Sequence, residues 1–150
     1  MKIYGYFDDR YEPPAPFIEI ILTSKSLGIK RIVDFHIDTG ASVSMLLDKD
    51  TQSLNIDTTK LKVSRTSISG IGGAVDTYLV DDAEFAFKTE NGKLHTEKLK
   101  LYVGRHDLSK FTEVDKLKIM GIPSLVGRDI LYRFRFVYDK RRKQLYLEVE

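Results

Sequence analysis

The chain has no cysteine and no tryptophan, and only three histidines and four prolines in 150 residues. Without cysteine there is neither a disulfide framework nor a thiolate metal centre. No apolar run approaches the roughly 20 residues that cross a bilayer, so no membrane association is expected. Met1–Arg10 is polar and aromatic and lacks the apolar centre of a secretory leader, which suggests a cytoplasmic protein. The formal net charge is +2, too small to form the basic field that nucleic acid needs. The run KRRK at Lys140–Lys143 is the local exception, and it is expected as a solvated hairpin turn. His36 and Asp38 would share one face of a strand, but His95 and His106 are the remaining histidines and nothing else has ligand spacing. Neither a metal nor another cofactor is expected.

What is present is a soluble globular composition, 42% hydrophobic and 31% charged, long enough for one domain with a sizeable core. Residues 1–16 end in YEPPAP, whose prolines fix φ and remove donors. They are expected as an extended lead-in to a single domain over 17–150. Phe17–Thr23 and Ile29–Asp38 alternate as a strand hairpin around Ser26–Gly28. Ser44–Leu47 is a short apolar stretch. Asp48–Leu54 suits one or two helical turns with Asp48 as N-cap. Leu61–Ile68 reads as a strand, broken by the glycines of Ser69–Ala74. Val75–Phe87 and Leu94–Val103 flank the Asn-Gly turn of Glu90–Lys93. Gly104–Gly121 is irregular, a loop or a short helix. Ile122–Gly127 is apolar, Arg128–Arg133 suits a short helix, and Phe134–Tyr138 pairs with Gln144–Val149 around KRRK. The whole is mostly β.

The chemistry concentrates in FHIDTGASVSML, Phe35–Leu46. Apolar Val33, Phe35 and Ile37 alternate with polar Asp34, His36 and Asp38, and the pattern then stops at Asp38-Thr39-Gly40. Asp supplies a carboxylate at a strand end, Thr a hydroxyl, and Gly a gap through which a backbone can approach. A lone carboxylate is a weak general base at neutral pH. Two in contact cannot both ionise comfortably, so they share one proton and titrate as a pair. Asp38, His36 and Ser44 also include the residue types of a hydrolase triad, but their order and crowding fit no recognised arrangement.

Three segments in order carry a likeness: FHIDTGASVSML, ISGIGGA at Ile68–Ala74, and IPSLVGRDILYRF at Ile122–Phe134. With them the chain, from Phe17 to its C-terminal hairpin, resembles the retropepsin-like aspartic proteases, single-domain relatives of the retroviral enzymes. The resemblance implies a closed or orthogonal β-barrel-like fold with one short C-terminal helix, forming half of a dimeric protease. It implies Asp38 as the catalytic carboxylate and Thr39 as a hydrogen-bonding residue across the dimer axis. Gly40 would admit the substrate backbone, with Ala41 keeping the turn narrow. Gly127 and Arg128 would brace the loop from behind. Ser69, Gly70, Ile71, Gly72 and Gly73 would form a flap over the substrate. The chain departs from the retroviral pattern at Ser42, where those enzymes carry an acid that pairs with the helix arginine. Arg128 must therefore find another partner, either Asp129 or a carbonyl.

The sequence holds no second Asp-Thr-Gly or Asp-Ser-Gly; Asp76-Thr77 is followed by Tyr78. If Asp38 belongs to a dyad, its partner is Asp38 of a second copy around a two-fold axis. The expectation is a homodimeric aspartic endopeptidase acting on a peptide or protein substrate. The N-terminal segment and the C-terminal hairpin are its candidate interface strands. The alternative is a retropepsin-like dimerisation or peptide-binding module without catalysis.

Overall fold

In a computed structural model of the chain, the Phe17–Asp38 region forms the expected hairpin, and the barrel is built on it. Residues 1–64 and 75–150 are described. The strands are β1 Lys2–Tyr4, β2 Tyr6–Asp8, β3 Ala15–Ser24, β4 Ile29–Ile37, β5 Met45–Leu46 and β6 Lys62–Val63. They continue with β7 Asp76–Lys88, β8 Leu94–Arg105, β9 Leu125–Val126, β10 Arg135–Asp139 and β11 Gln144–Glu148. Three short helices interrupt them: α1 Asp48–Ser53, α2 Glu113–Met120 and α3 Arg128–Leu131.

One sheet has the order β2-β3-β4-β9-β5-β8-β7-β6, and β3 also pairs with β7. That extra pairing closes β3-β4-β9-β5-β8-β7 into a six-stranded barrel. Alternation decides which side faces in. Ile18, Ile20 and Leu22 of β3 and Val33, Phe35 and Ile37 of β4 are all buried. The rings of Phe35 and Phe85 meet at 5.0 Å, and those of Phe85 and Phe87 at 6.3 Å. Fully burying each such ring contributes roughly 1.5–3 kcal/mol. At the Val80/Ala83 bulge, Asp82 accepts from Ser24 Oγ (2.7 Å), Ser26 N (2.8 Å) and Ser26 Oγ (2.8 Å), which pins the β3–β4 turn.

A second sheet, β1-β11-β10, is made from the two ends of the chain. Part of the expected lead-in is thus regular structure. β1 pairs with β11, and Ile3 is only 1% exposed. Two further readings are refined. Asp48 is not the N-cap of α1; Leu47 holds that position, and the buried Asp48 carboxylate instead accepts from His106 N (2.9 Å) and faces His106 Nδ1. The stretch Gly104–Gly121 contains α2, capped by Thr112, whose hydroxyl accepts from Asp115 N. Among the described residues no helix is long and apolar enough to cross a membrane.

Candidate active site

Asp38 follows the last residue of β4, where the strand is clamped from the side by β9 running parallel to it. Asp38 N donates to the Val126 carbonyl at 3.0 Å, and His36 N donates to the Ser124 carbonyl at 2.8 Å. The chain then turns tightly. Gly40 N donates to Asp38 Oδ1 (2.8 Å), and Ala41 N donates to the Asp38 carbonyl (3.2 Å). A backbone N–H aimed at the carboxylate fixes its rotamer. At Gly40 a Cβ would sit 3.1 Å from Asp38 Oδ1, a tight contact, and the φ there is not in the left-handed region. Thr39 and Gly40 are exposed, so the tip of this turn lies on the molecular surface.

The turn is held from behind by the start of α3. Arg128 Nη1 donates to the Thr39 carbonyl (2.8 Å), and Arg128 N donates to the Ala41 carbonyl (2.9 Å). Of the two partners open to Arg128, the carbonyl is the one it takes. Gly127 is where α3 passes closest to the loop. A Cβ there would lie 2.7 Å from the Val43 carbonyl carbon and oxygen and 2.9 Å from the Ala41 oxygen.

The sequence reading did not anticipate the group that completes this brace. Ser44, fully buried, accepts from Gly127 N (3.0 Å) and donates to Asp129 Oδ1 (2.7 Å), while Ser44 N donates to Asp129 Oδ2 (3.0 Å). Asp129 therefore ties down the segment after the turn and leaves Arg128 to the turn itself. A second tie runs through Ser124: its hydroxyl accepts from Leu47 N (3.0 Å) and donates to Asp50 Oδ2 (2.5 Å). The available signal was spacing alone: Asp129 is adjacent to Arg128, and Ser44 lies six positions beyond Asp38.

Beside Asp38, His36 packs on Phe17 (5.4 Å between rings), which in turn stacks on Tyr6 at 5.9 Å. Burial holds the His36 imidazole below its usual range, while the Asp38 carboxylate nearby works in the opposite direction. Burial and the Asp34 carboxylate push the Tyr6 phenol up to about 12. The other histidines are engaged elsewhere, His95 with Glu97 and His106 with Asp48, so the three do not converge on one ion.

Asp38, Thr39, Gly40, Ala41, Gly127 and Arg128 thus form one constellation. Ser69, Gly70, Ile71, Gly72 and Gly73 lie outside the described residues. The ribbon of β6 and β7 that flanks them is antiparallel, with Lys62 opposite Leu79, Val63 opposite Tyr78, and Ser64 N donating to the Thr77 carbonyl. The Lys140–Lys143 run is a hairpin turn, as expected; Arg142 N donates to Asp139 Oδ1 and Lys140 lies over the Phe7 ring.

A closed six-stranded barrel that delivers an Asp-Thr-Gly turn against a Gly-Arg-Asp helix start defines a retropepsin-like aspartic protease fold. The chain belongs to the aspartyl protease family, whose model, described as "Aspartyl protease", matches residues 27–128. It resembles the crystal structure of a retropepsin-like aspartic protease from Rickettsia conorii. There the identity is 25% and the TM-score 0.54, covering 99% of this chain and 89% of that one. It also matches the EIAV protease complexed with an inhibitor, at 20% identity and a TM-score of 0.46, over 79% of this chain and 86% of that one. No curated protein matches the chain.

Proposed function

We propose that this protein is an aspartic endopeptidase that works as a homodimer, with one Asp38 carboxylate from each copy. The observation that carries this is a single Asp-Thr-Gly turn, exposed at its tip and braced on its inner side by Arg128. A brace of this kind suits a carboxylate that must keep its place while it exchanges protons. These 150 residues carry one such motif, and in this reading a second copy supplies the partner.

In the dimer the two carboxylates share one proton, because neighbouring like charges oppose full ionisation. The ionised one takes a proton from a water held between them, and that water attacks the scissile carbonyl carbon. The protonated one donates to the carbonyl oxygen. The tetrahedral intermediate then collapses, and a carboxyl returns a proton to the departing amine. Thr39 would link the two turns across the axis, and Gly40 would let the substrate backbone approach. Ser69–Gly73 would cover the bound peptide and exclude water.

The test is cleavage of an unfolded protein and of an apolar peptide between acid and neutral pH, with Asp38→Asn alongside. The variant is expected to lose about 10³-fold or more in kcat while still folding. Equal activity in Asp38→Asn would end the protease reading. A folded, peptide-binding wild type that cleaves nothing would favour the non-catalytic module.

A further inference from the structure

Asp38 shares its strand face with a second polar group. The ladder of β4 runs on into the site: His36 N donates to the Ser124 carbonyl and Asp38 N to the Val126 carbonyl. Side chains two residues apart on an extended strand point the same way, about 7 Å from each other. Val33, Phe35 and Ile37 alternate with them into the core, while His36 and Asp38 are both half-buried. The His36 imidazole therefore stands beside the carboxylate on the side from which a peptide would reach it.

The ring is oriented by packing rather than by hydrogen bonds. Phe17, directly opposite on β3, meets it at 5.4 Å, and Tyr6 and Tyr11 pack on Phe17 at 5.9 and 5.5 Å. Among the described residues neither His36 ring nitrogen has a hydrogen-bond partner. The other two histidines differ: His95 Nε2 lies 2.9 Å from Glu97 Oε1, and His106 Nδ1 faces the Asp48 carboxylate. Asp34, the next carboxylate along the same face, faces the Tyr6 phenol. An imidazole carries one N–H donor when neutral and two when protonated, and half-buried polar groups are normally satisfied. An oriented imidazole with free nitrogens beside the reacting carboxylate is placed to bond a peptide lying in the site.

We infer that His36 selects the substrate: its ring donates to a polar acceptor side chain of the peptide, a carboxylate above all, next to the bond cleaved at Asp38. This rests on the protease reading above and names the substrate class that the site favours. Charge sets the strength of the contact. Burial holds the imidazole below its usual range, about 6.5, and Asp38 opposes that shift. The other titratable groups around the ring are Asp34 on its own strand, Glu19 opposite Asp34 on β3, and Tyr6 and Tyr11 against Phe17. The Asp8–Arg10 pair lies beyond Tyr6, and β9 brings Leu125 opposite His36. A peptide Glu is ionised above about pH 4.3. The imidazolium–carboxylate pair therefore forms in mild acid and is lost as pH rises toward about 6.5 and the imidazole gives up its proton.

Apolar octapeptides carrying Glu, Gln or Leu at one position, moved along the peptide, test this. Cleavage is read as kcat/KM at about pH 5 and about pH 7.5, and binding of the same peptides to Asp38→Asn is read by calorimetry. At the best position the wild type is expected to prefer Glu to Gln about tenfold at the lower pH and to lose most of that preference at the higher. His36→Leu should remove the preference at both, mainly through KM. His36→Gln should keep a hydrogen bond but no pH dependence, and it carries the test if His36→Leu fails to fold. A Glu preference that survives His36→Leu, one of equal size at both pH values, or none at any position would each overturn the assignment. If the wild type cleaves nothing, yet Asp38→Asn binds with the Glu preference and Asp38→Asn/His36→Leu does not, His36 stands as the selecting residue and the protease reading falls.

Discussion

Replacing Gly127 with alanine adds one methyl group where α3 meets the loop that carries Asp38. Every atom it would meet is backbone: the Val43 carbonyl carbon and oxygen at 2.7 Å and the Ala41 oxygen at 2.9 Å. No flexible side chain can swing aside, so either the loop or the helix start must move. The Gly127 φ of −103° is ordinary, so conformational strain contributes nothing and the whole effect is steric. Overpacking of this kind costs about 1–3 kcal/mol, or a fall in Tm of about 2–12 °C for a chain this long. The shift also displaces the Arg128 bonds to Thr39 and Ala41, and misplacing reacting groups by about 1 Å costs about 10²-fold in rate. The assay is urea unfolding together with kcat on a peptide substrate. Gly121→Ala serves as the control, because there the nearest atom to an added Cβ is the Lys118 oxygen at 3.3 Å. A Gly127→Ala protein with wild-type stability and kcat would refute the steric argument.

Ser44→Ala removes both the acceptor for Gly127 N and the donor to Asp129 in a fully buried place, so unfolding free energy should fall by about 1–3 kcal/mol. An unchanged urea midpoint would show that the brace does not depend on that hydroxyl. His36 is held below its usual range by burial, so the unfolded chain binds the extra proton first and stability falls as pH drops through about 6.5. The wild-type minus His36→Leu stability difference should therefore decrease from about pH 7.5 to about pH 5, and a flat difference would contradict the shift.

Much of the barrel was legible because strand burial repeats every two residues, a period that short segments display by themselves. Val33, Phe35 and Ile37 alternate with polar neighbours on that period, and all three are buried. Asp38 was legible because a strand that ends on Asp-Thr-Gly breaks its own pattern. Other features were not legible. Ser44 reads as an ordinary polar residue until Asp129 is brought against it, and Asp48 looked like a helix cap until His106 arrived beside it. Gly40 was read as a gap for an approaching backbone; at the place of a Cβ, that gap also lies 3.1 Å from Asp38 Oδ1.

By itself the sequence determined that the chain is mostly β, that one strand ends on Asp38-Thr39-Gly40, and that it carries one such motif rather than two. These depend on local periodicity and on residue type. Only the tertiary structure decided which groups brace the turn, that the first strand closes on the last, and that β10 pairs, among the described residues, on one side alone. Those facts depend on contacts between positions such as Lys2 and Glu148 or Thr39 and Arg128. Contacts of that separation form only as distant parts of the chain come together, and no local pattern specifies their partners.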